Sequence, residues 1–326
     1  MKIKSIYGVF SVDEPVLIEL LKSKPVQRLK KISHQGTLKH KGIRLYYSRF
    51  EHSVGVMLLL RKFMAGVEEQ AAGLLHDISH TAFSHSSDML FGDYEVQGLQ
   101  DSLQLKRVNR MEIKRILKKH GFKPERIGNP EFFKLLETEA PDLCADRLDY
   151  SLRDLHHLNF KISSIMNHLT IHKGEFVFNS KKQALLYAKK YIYLQTKFYS
   201  SKQDMVNVKM LTTALKSALD NKIISRKDVI YGVDYDLIKK IESSKDDFAK
   251  NLLKMLREKN YAVINSHKGI ILKAKFRYVD PKILDGNSTS RLSEIYPYYG
   301  KAIEKARKKC AKGFEVKIIS NDKVIL

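Results

Sequence analysis

Cysteine is nearly absent: Cys144 and Cys310 stand far apart in 326 residues. That excludes a disulfide framework and points to a reducing cytosol. No apolar run reaches the roughly 18 to 20 residues a membrane span needs. The opening MKIKSIYGVFSVDEPVLIELL is interrupted by Asp13, Glu14 and Pro15 before the apolar centre of a secretory signal can form. There is no internal repeat, and no low-complexity tract beyond short lysine runs. Acidic residues are also short, 36 against 59 Lys and Arg, giving a formal net charge of +23. That balance favours polyanionic partners such as nucleotides or nucleic acid. The lysines are spread along the chain, which suits a solvated surface equally well. What remains is a cytoplasmic chain with no membrane span, long enough for one large domain or two ordinary ones.

The hydrophobic pattern is mostly helical. After a short extended IYGVFSV, Pro15 starts a helix through VLIELLKS, and VQRLKKIS after Pro25 makes a second. IRLYYS reads as a loop or short strand. HSVGVMLLLRKFMAG is apolar on most sides and predicts a buried helix. EEQAAGLLHDISH predicts another, RMEIKRILKKHG one capped by Gly121, and ETEAPDLCADRLDYSLRDLHHL one with Pro141 near its first turn. A long helical stretch covers 181–219. Beyond about residue 260, YAVIN, GIILKAKFRYV and FEVKIIS read as strands around a helix, LSEIYPYYGKAIEKARKKCAKG. The expected architecture is mainly α, a helical body over 1–222 with a small C-terminal α+β region over 223–326.

AAGLLHDISHTAFSH crowds His76, Asp77, His80 and His85 into a short run. On a helix, His80 lies one turn beyond His76 on the same face. Imidazole with carboxylate is a typical donor mix for Zn, Fe, Mn or Ni. Two ligands do not make a site. His52 in SRFEHSVGV and Asp146 in CADRLDYSLRD are the other candidates, because a buried Asp is rare unless paired or metal-bound. The acids Asp146, Asp149 and Asp154 with Arg147 and Arg153 also suit an internal ion-pair network.

Together these pieces resemble the HD-domain superfamily of metal-dependent phosphohydrolases: a lone His, then His-Asp, then a lone Asp, on separate helices of one bundle. QRLKKISHQG, SRFEHSVGV, HDISHTAFSH and ADRLDYSLRD look like the branch of the dNTP triphosphohydrolases and their prokaryotic relatives. The resemblance covers residues 5 to 160 closely and the remainder faintly. It implies His52, His76, Asp77 and Asp146 as ligands of one divalent transition metal (Fe, Mn, Zn or Ni), with Mg accompanying the nucleotide. It implies His85 as general acid oriented by Asp88, and His80 on the phosphate or the attacking water. Packed helix histidine is the alternative for His80. Arg49 and Arg147 would meet phosphate, although Arg49 also suits a helix N-terminal ion pair. Tyr150 and Asp154 would meet the sugar. Similar enzymes assemble as dimers and tetramers, so a homo-oligomer is expected.

Two departures stand out. Where the family carries Gln-Leu-Gly at the sugar, this chain has His34-Gln35-Gly36, leaving Gln35 as the candidate contact. Where the triphosphohydrolases carry a His-Glu pair supporting the acid histidine, Gln104-Leu105 falls, or Glu95 in a shifted alignment. Gln cannot exchange a proton at neutral pH. Three readings follow: a (d)NTP triphosphohydrolase releasing nucleoside and triphosphate; a phosphodiesterase or nuclease on nucleic acid; or a catalytically weakened nucleotide-sensing or nucleic-acid-binding protein. The basic helix with Lys305, Lys308, Lys309 and Lys312 could serve any of them, or be a solvated face.

Overall fold

A computed structural model describes residues 1–91, 99–320 and 323–326. The chain opens with a hairpin, Lys2–Ser5 against Gly8–Ser11. Pro15 sits in the first turn of the helix Pro15–Lys22, where its missing N–H breaks no bond, and Pro25 plays the same part in Lys24–Arg28. IRLYYS stays irregular, held by a single bridge between Ser33 and Ser48.

The helix Arg49–Lys62 starts from a capping box in which Ser48 and Glu51 satisfy each other's backbone N–H groups. Val54 and Val56 through Leu60 are all buried, as its apolar pattern predicts. It packs against the helices Val67–Leu75 and Ala145–His157. Gly55 permits the second crossing: a Cβ there would lie 2.0 Å from the Arg153 guanidinium and 2.1 Å from the Asp149 carboxylate.

Three expected helices are shorter or broken. The one through HDISH ends at Leu75, so His76 and His80 do not share a helical face; residues 76–85 run through turns. His, Asp, Ser and Thr side chains there offer the backbone local hydrogen bonds in place of helical ones. Phe83 and Ser84 adopt φ of +58° and +47°. The Asp234 carboxylate holds this conformation, accepting from the Phe83 N–H at 2.7 Å and the Ser33 N–H at 2.8 Å. The fourth helix begins at Ala145, leaving Pro141 in the preceding loop instead of the first turn. The stretch 181–219 divides into Lys181–Leu194, a π turn Gln195–Tyr199, and Lys202–Asp220, whose first turn is capped by the Ser201 hydroxyl. Beyond it Arg226–Tyr231, Asp234–Glu242 and Asp247–Glu258 form helices that the sequence reading did not assign.

Near the C-terminus Ala262–Leu272 pairs with Phe314–Ser320, and Pro297–Lys312 is the expected basic helix. The strand in GIILKAKFRYV stops at Leu272, and residues 273–281 are irregular. A second sheet joins Leu169–His172 and Glu175–Phe178 to Lys282–Asp285 and Ser288–Arg291, with Phe178 opposite Ile283. Residues on both sides of position 222 thus share one sheet and both cores. One core surrounds the Arg49–Lys62 helix and includes Val279, Ile283, Leu292 and Tyr299. The other surrounds Lys202–Asp220 and includes Ala82, Phe83, Val316 and Ile318. The fold is mainly α with small sheets.

Candidate metal centre

Three helix ends deliver the four expected ligands to one point. His52 comes from the first turns of Arg49–Lys62, His76 and Asp77 from the turn ending Val67–Leu75, and Asp146 from the start of Ala145–His157. His52 Nε2 is 2.9 Å from Asp146 Oδ1, 3.2 Å from His76 Nε2 and 3.7 Å from Asp77 Oδ2. His76 Nε2 is 3.4 Å from Asp77 Oδ1 and 3.5 Å from Asp146 Oδ1. Bonds of about 2.1 Å to one ion put neighbouring donors about 3.0 to 3.4 Å apart.

The hydrogens are placed to leave those donors free. His52 Nδ1 lies 2.8 Å from Asp149 Oδ2 and His76 Nδ1 2.7 Å from the Gly73 carbonyl; both partners can only accept, so both Nδ1 atoms donate. The two Nε2 lone pairs then face each other, which is favourable only with a cation or proton between them. Burial works against charge on His76, but the Asp77 and Asp146 carboxylates outweigh it and raise its pKa to about 9. Burial likewise opposes charge on Asp77, yet Arg49 and His76 hold that carboxyl well below the usual range. This compact, negative, lone-pair-rich arrangement fits a divalent metal.

Asp149 is the support that the ion-pair reading of CADRLDYSLRD leaves unassigned. Its Oδ1 accepts from Tyr7 Oη at 2.8 Å and Arg153 Nη2 at 2.9 Å; its Oδ2 accepts from His52 Nδ1 and from Arg153 Nε at 3.0 Å. The ion pair and the metal support are thus the same residue.

Arg49 is buried, and each guanidinium nitrogen has a protein acceptor: Asp77 Oδ2 at 2.8 Å, Ser84 Oγ at 3.0 Å and the His34 carbonyl at 3.0 Å. His80 is buried with Nε2 3.1 Å from Asp77 Oδ1, and burial, then Arg49, lowers it to about 4. The His85 ring meets the His80 ring edge to face at 5.2 Å. His85 caps the helix Ser86–Leu90, leaves 31% of its side chain exposed, and has Nδ1 3.1 Å from Asp88 Oδ2. Burial, then Arg49, holds it well below its usual value.

On the other side, Gln35 Nε2 reaches both Asp154 oxygens at 3.3 Å, and Tyr199 Oη donates to Asp154 Oδ2 at 2.6 Å. Burial raises Asp154 to about 7, against the pull of those hydrogen bonds. Tyr150 bonds the Tyr191 hydroxyl. Arg147 lies at the margin, tied to the Thr138 and Asp142 carbonyls and 3.7 Å from Glu137. Glu137, Cys144 and Asp146 also cluster, but burial and then the Glu137 carboxylate push the Cys144 thiol up against the opposing pull of Arg147, whose Nη1 lies 3.3 Å from the sulfur, and this disfavours a thiolate ligand. His34, beside His52 at 4.5 Å between ring centres, has a buried Nδ1 with no hydrogen-bond partner. Tyr199 and His34 carry no signal in the sequence that the ligand pattern could have pointed to.

Gln104 does not take the place of a proton relay. Its Nε2 donates at 2.8 Å to the Leu75 carbonyl at the end of Val67–Leu75, and Leu105 is exposed. Glu95 lies outside the described residues.

The HD domain family matches residues 49–153, the span from Arg49 through Asp146 to Arg153. An uncharacterised protein of Bacillus subtilis, YdhJ, is 33% identical over 96% of this chain and 98% of its own length. The metal-dependent phosphohydrolase cns2 of Cordyceps militaris is 42% identical over 46% of this chain; the match spans 43% of that relative. More distantly, the deoxynucleoside triphosphate triphosphohydrolase SAMHD1 of Mus musculus is 25% identical over 45% of this chain and 30% of its own length. A solved structure of a phosphohydrolase from Bacteroides thetaiotaomicron shares the fold, with a TM-score of 0.71 over 97% of this chain and 98% of that one at 18% identity. No helix among the described residues is long and apolar enough to cross a membrane. With the histidines and aspartates of that domain converging on one point and a relative matched end to end, the chain belongs to the HD-domain superfamily of metal-dependent phosphohydrolases.

Proposed function

We propose that the protein hydrolyses nucleotides, cleaving (d)NTPs to nucleoside and triphosphate. The observation that carries this is the pairing of two unlike chemistries side by side, bridged by the His34 ring 4.5 Å from His52 and 6.3 Å from Tyr150: the donor set of His52, His76, Asp77 and Asp146, and the Gln35–Asp154–Tyr199 hydrogen-bond group suited to a sugar hydroxyl. The similarity to a deoxynucleoside triphosphate triphosphohydrolase supports the same substrate.

Held by those four ligands, a divalent ion (Fe, Mn, Zn or Ni) would polarise a phosphoryl oxygen and favour the attacking water. His80 fixes Asp77 and faces the water. The water oxygen would bond the α-phosphorus and release a proton to solvent, the bond from that phosphorus to the 5′ oxygen would break, and His85 would give the 5′ oxygen its proton. Asp88 orients the His85 ring. Burial and Arg49 keep His85 neutral beforehand, so its proton arrives with the substrate, whose negative charge offsets Arg49. Tyr150 would pack at the sugar and Asp154 would accept from its hydroxyl, while Arg147 would have to exchange its Thr138 and Asp142 carbonyl partners to meet phosphate. Mg would accompany the nucleotide, and the working form would be a dimer or tetramer.

The test incubates metal-loaded protein with each dNTP and NTP and separates products by ion exchange, beside Asp77→Ala. Nucleoside and triphosphate from the wild type alone support the reading. Mono- or diphosphate products place the cleaved bond elsewhere. The net charge of +23 favours one second reading, a phosphodiesterase or nuclease, which strand cutting with steep salt dependence would support. Tight nucleotide binding without turnover under any metal would leave a sensing protein.

A further inference from the structure

The carbonyls that end the helix Arg226–Tyr231 gather guanidinium groups from two distant parts of the chain. Arg28 Nε donates to the Tyr231 and Gly232 carbonyls at 3.1 Å each, and its Nη2 to Gly232 at 2.7 Å and Ile230 at 3.4 Å. Arg107, in the last turn of the helix Leu99–Val108, donates from Nη2 to the same Ile230 carbonyl. Arg110, just before the helix Met111–Lys119, joins them through Tyr231. Its guanidinium and that of Arg107 each lie 4.5 Å from the centre of that ring. Tyr231 is 43% exposed and Arg110 is exposed, so the group opens to solvent.

Capping of a helix end accounts for only part of this. A helix C-terminus carries about half a negative charge, against three positive ones here. Arg28 spends its donors on carbonyls, but the Arg110 guanidinium bonds none among the described residues. Arg107 is only 8% exposed, yet its buried Nε has no hydrogen-bond partner. An unpaired charged donor inside a protein is costly. No carboxylate among the described residues acts on Arg107, and only Asp234 acts on Arg28. Both Asp234 oxygens already accept, from the Phe83 and Ser33 N–H groups. Burial, then Arg107, lowers Arg28 to about 9, and burial, then Arg110, lowers Arg107 to about 10. The three charges oppose one another, and an anion beside them would relieve all three.

We propose that Arg107, Arg110 and Tyr231, backed by Arg28, form a binding site for a diphosphate group, separate from the metal centre. A planar guanidinium fork meets phosphate oxygens two at a time, which a lysine cannot do. One phosphate group carries at most about two negative charges, too few for three arginines, whereas a diphosphate can match them. The Tyr231 hydroxyl is a further donor. The site meets the metal centre through Arg28, whose Nη1 donates to the His80 carbonyl at 2.9 Å. Free pyrophosphate and the diphosphate of an ester present the same oxygens to it. The site does not depend on the nucleotide reading above.

Calorimetry would measure pyrophosphate binding at about 0.15 M salt, where weak surface attraction is screened. The metal-loaded wild type would be compared with Arg110→Gln, Arg107→Gln, Asp77→Ala and Lys305→Gln. Arg110 is exposed, so Arg110→Gln should leave the melting temperature unmoved. It should weaken binding about 10- to 100-fold, the loss of charge-assisted bonds to phosphate. Arg107→Gln should weaken it at least as much. Asp77→Ala, at the metal centre, and Lys305→Gln, which removes one exposed charge from the basic helix, should bind as the wild type does. The proposal is overturned if the wild type binds no pyrophosphate, if Arg110→Gln binds it equally well, if Lys305→Gln costs as much, or if the loss appears in Asp77→Ala alone. ADP, titrated into Asp77→Ala with and without Arg110→Gln, separates the sources of the diphosphate. ADP bound more tightly than pyrophosphate, and lost with Arg110, supports an ester as the ligand; pyrophosphate bound more tightly supports the free anion.

Discussion

Replacing Asp149 by Asn should lower metal affinity about 10- to 100-fold while the protein stays folded, because a neutral amide holds the His52 Nδ1–H and its tautomer less well than a carboxylate. Metal content after dialysis, read by elemental analysis, checks this. Asp154 sits near 7 because burial disfavours its charge. Its folded pKa is raised, so the folded state holds a proton the unfolded state has released between about pH 4 and 7, and its contribution to stability falls as pH rises across that window. The carboxylate gained above pH 7 is the better acceptor. KM should fall between pH 6 and 8, and Asp154→Asn should flatten that profile; an unchanged profile would remove Asp154 from binding. That His52, His76, Asp77 and Asp146 would come together was legible in the sequence, since His-Asp and two isolated partners resemble a known family's pattern. Asp149 was visible only as a charge. Its partner Tyr7 is 142 residues away, and nothing local links the two.

At the scale of elements, the helix Arg49–Lys62 was legible because its apolar residues surround it, and Ser48 and Glu51 mark its start. The end of Val67–Leu75 was not. The apolar pattern stops there, but what decides the turn is Asp234, more than 150 residues on, binding the Phe83 and Ser33 N–H groups. The break at 200–201 was hidden for a similar reason, because the helical pattern continues through it. The crossing at Gly55 gives a sharp test. A Cβ there collides with Asp149 and Arg153 near 2 Å, and Asp149 cannot yield without disturbing His52. Gly55→Ala should destabilise the protein by about 3 kcal/mol or more and cost it metal together, seen as parallel falls in melting temperature and metal content.

For the molecule as a whole, a helical body with a small C-terminal α+β part was readable from the change of period near residue 260. The way the two interlock was not, because strand pairing over a hundred residues has no local signature. Phe178 pairs with Ile283, and Val279, Leu292 and Tyr299 complete the core around the Arg49–Lys62 helix. A fragment of residues 1–222 should therefore fail to fold cooperatively. A sharp thermal transition in that fragment, with metal still bound, would show the body to be autonomous.

The four donors gathered on Asp149 carry one more implication. Each carboxylate oxygen already accepts two hydrogen bonds, so the His52 ring is locked before any ion arrives. The entropy of ordering that ligand is spent during folding and not charged to metal uptake. A pocket so rigid has a fixed bite, and a fixed bite sorts ions by radius: an ion as large as calcium, whose bonds run about 2.3 to 2.6 Å, would have to force the ring against its carboxylate.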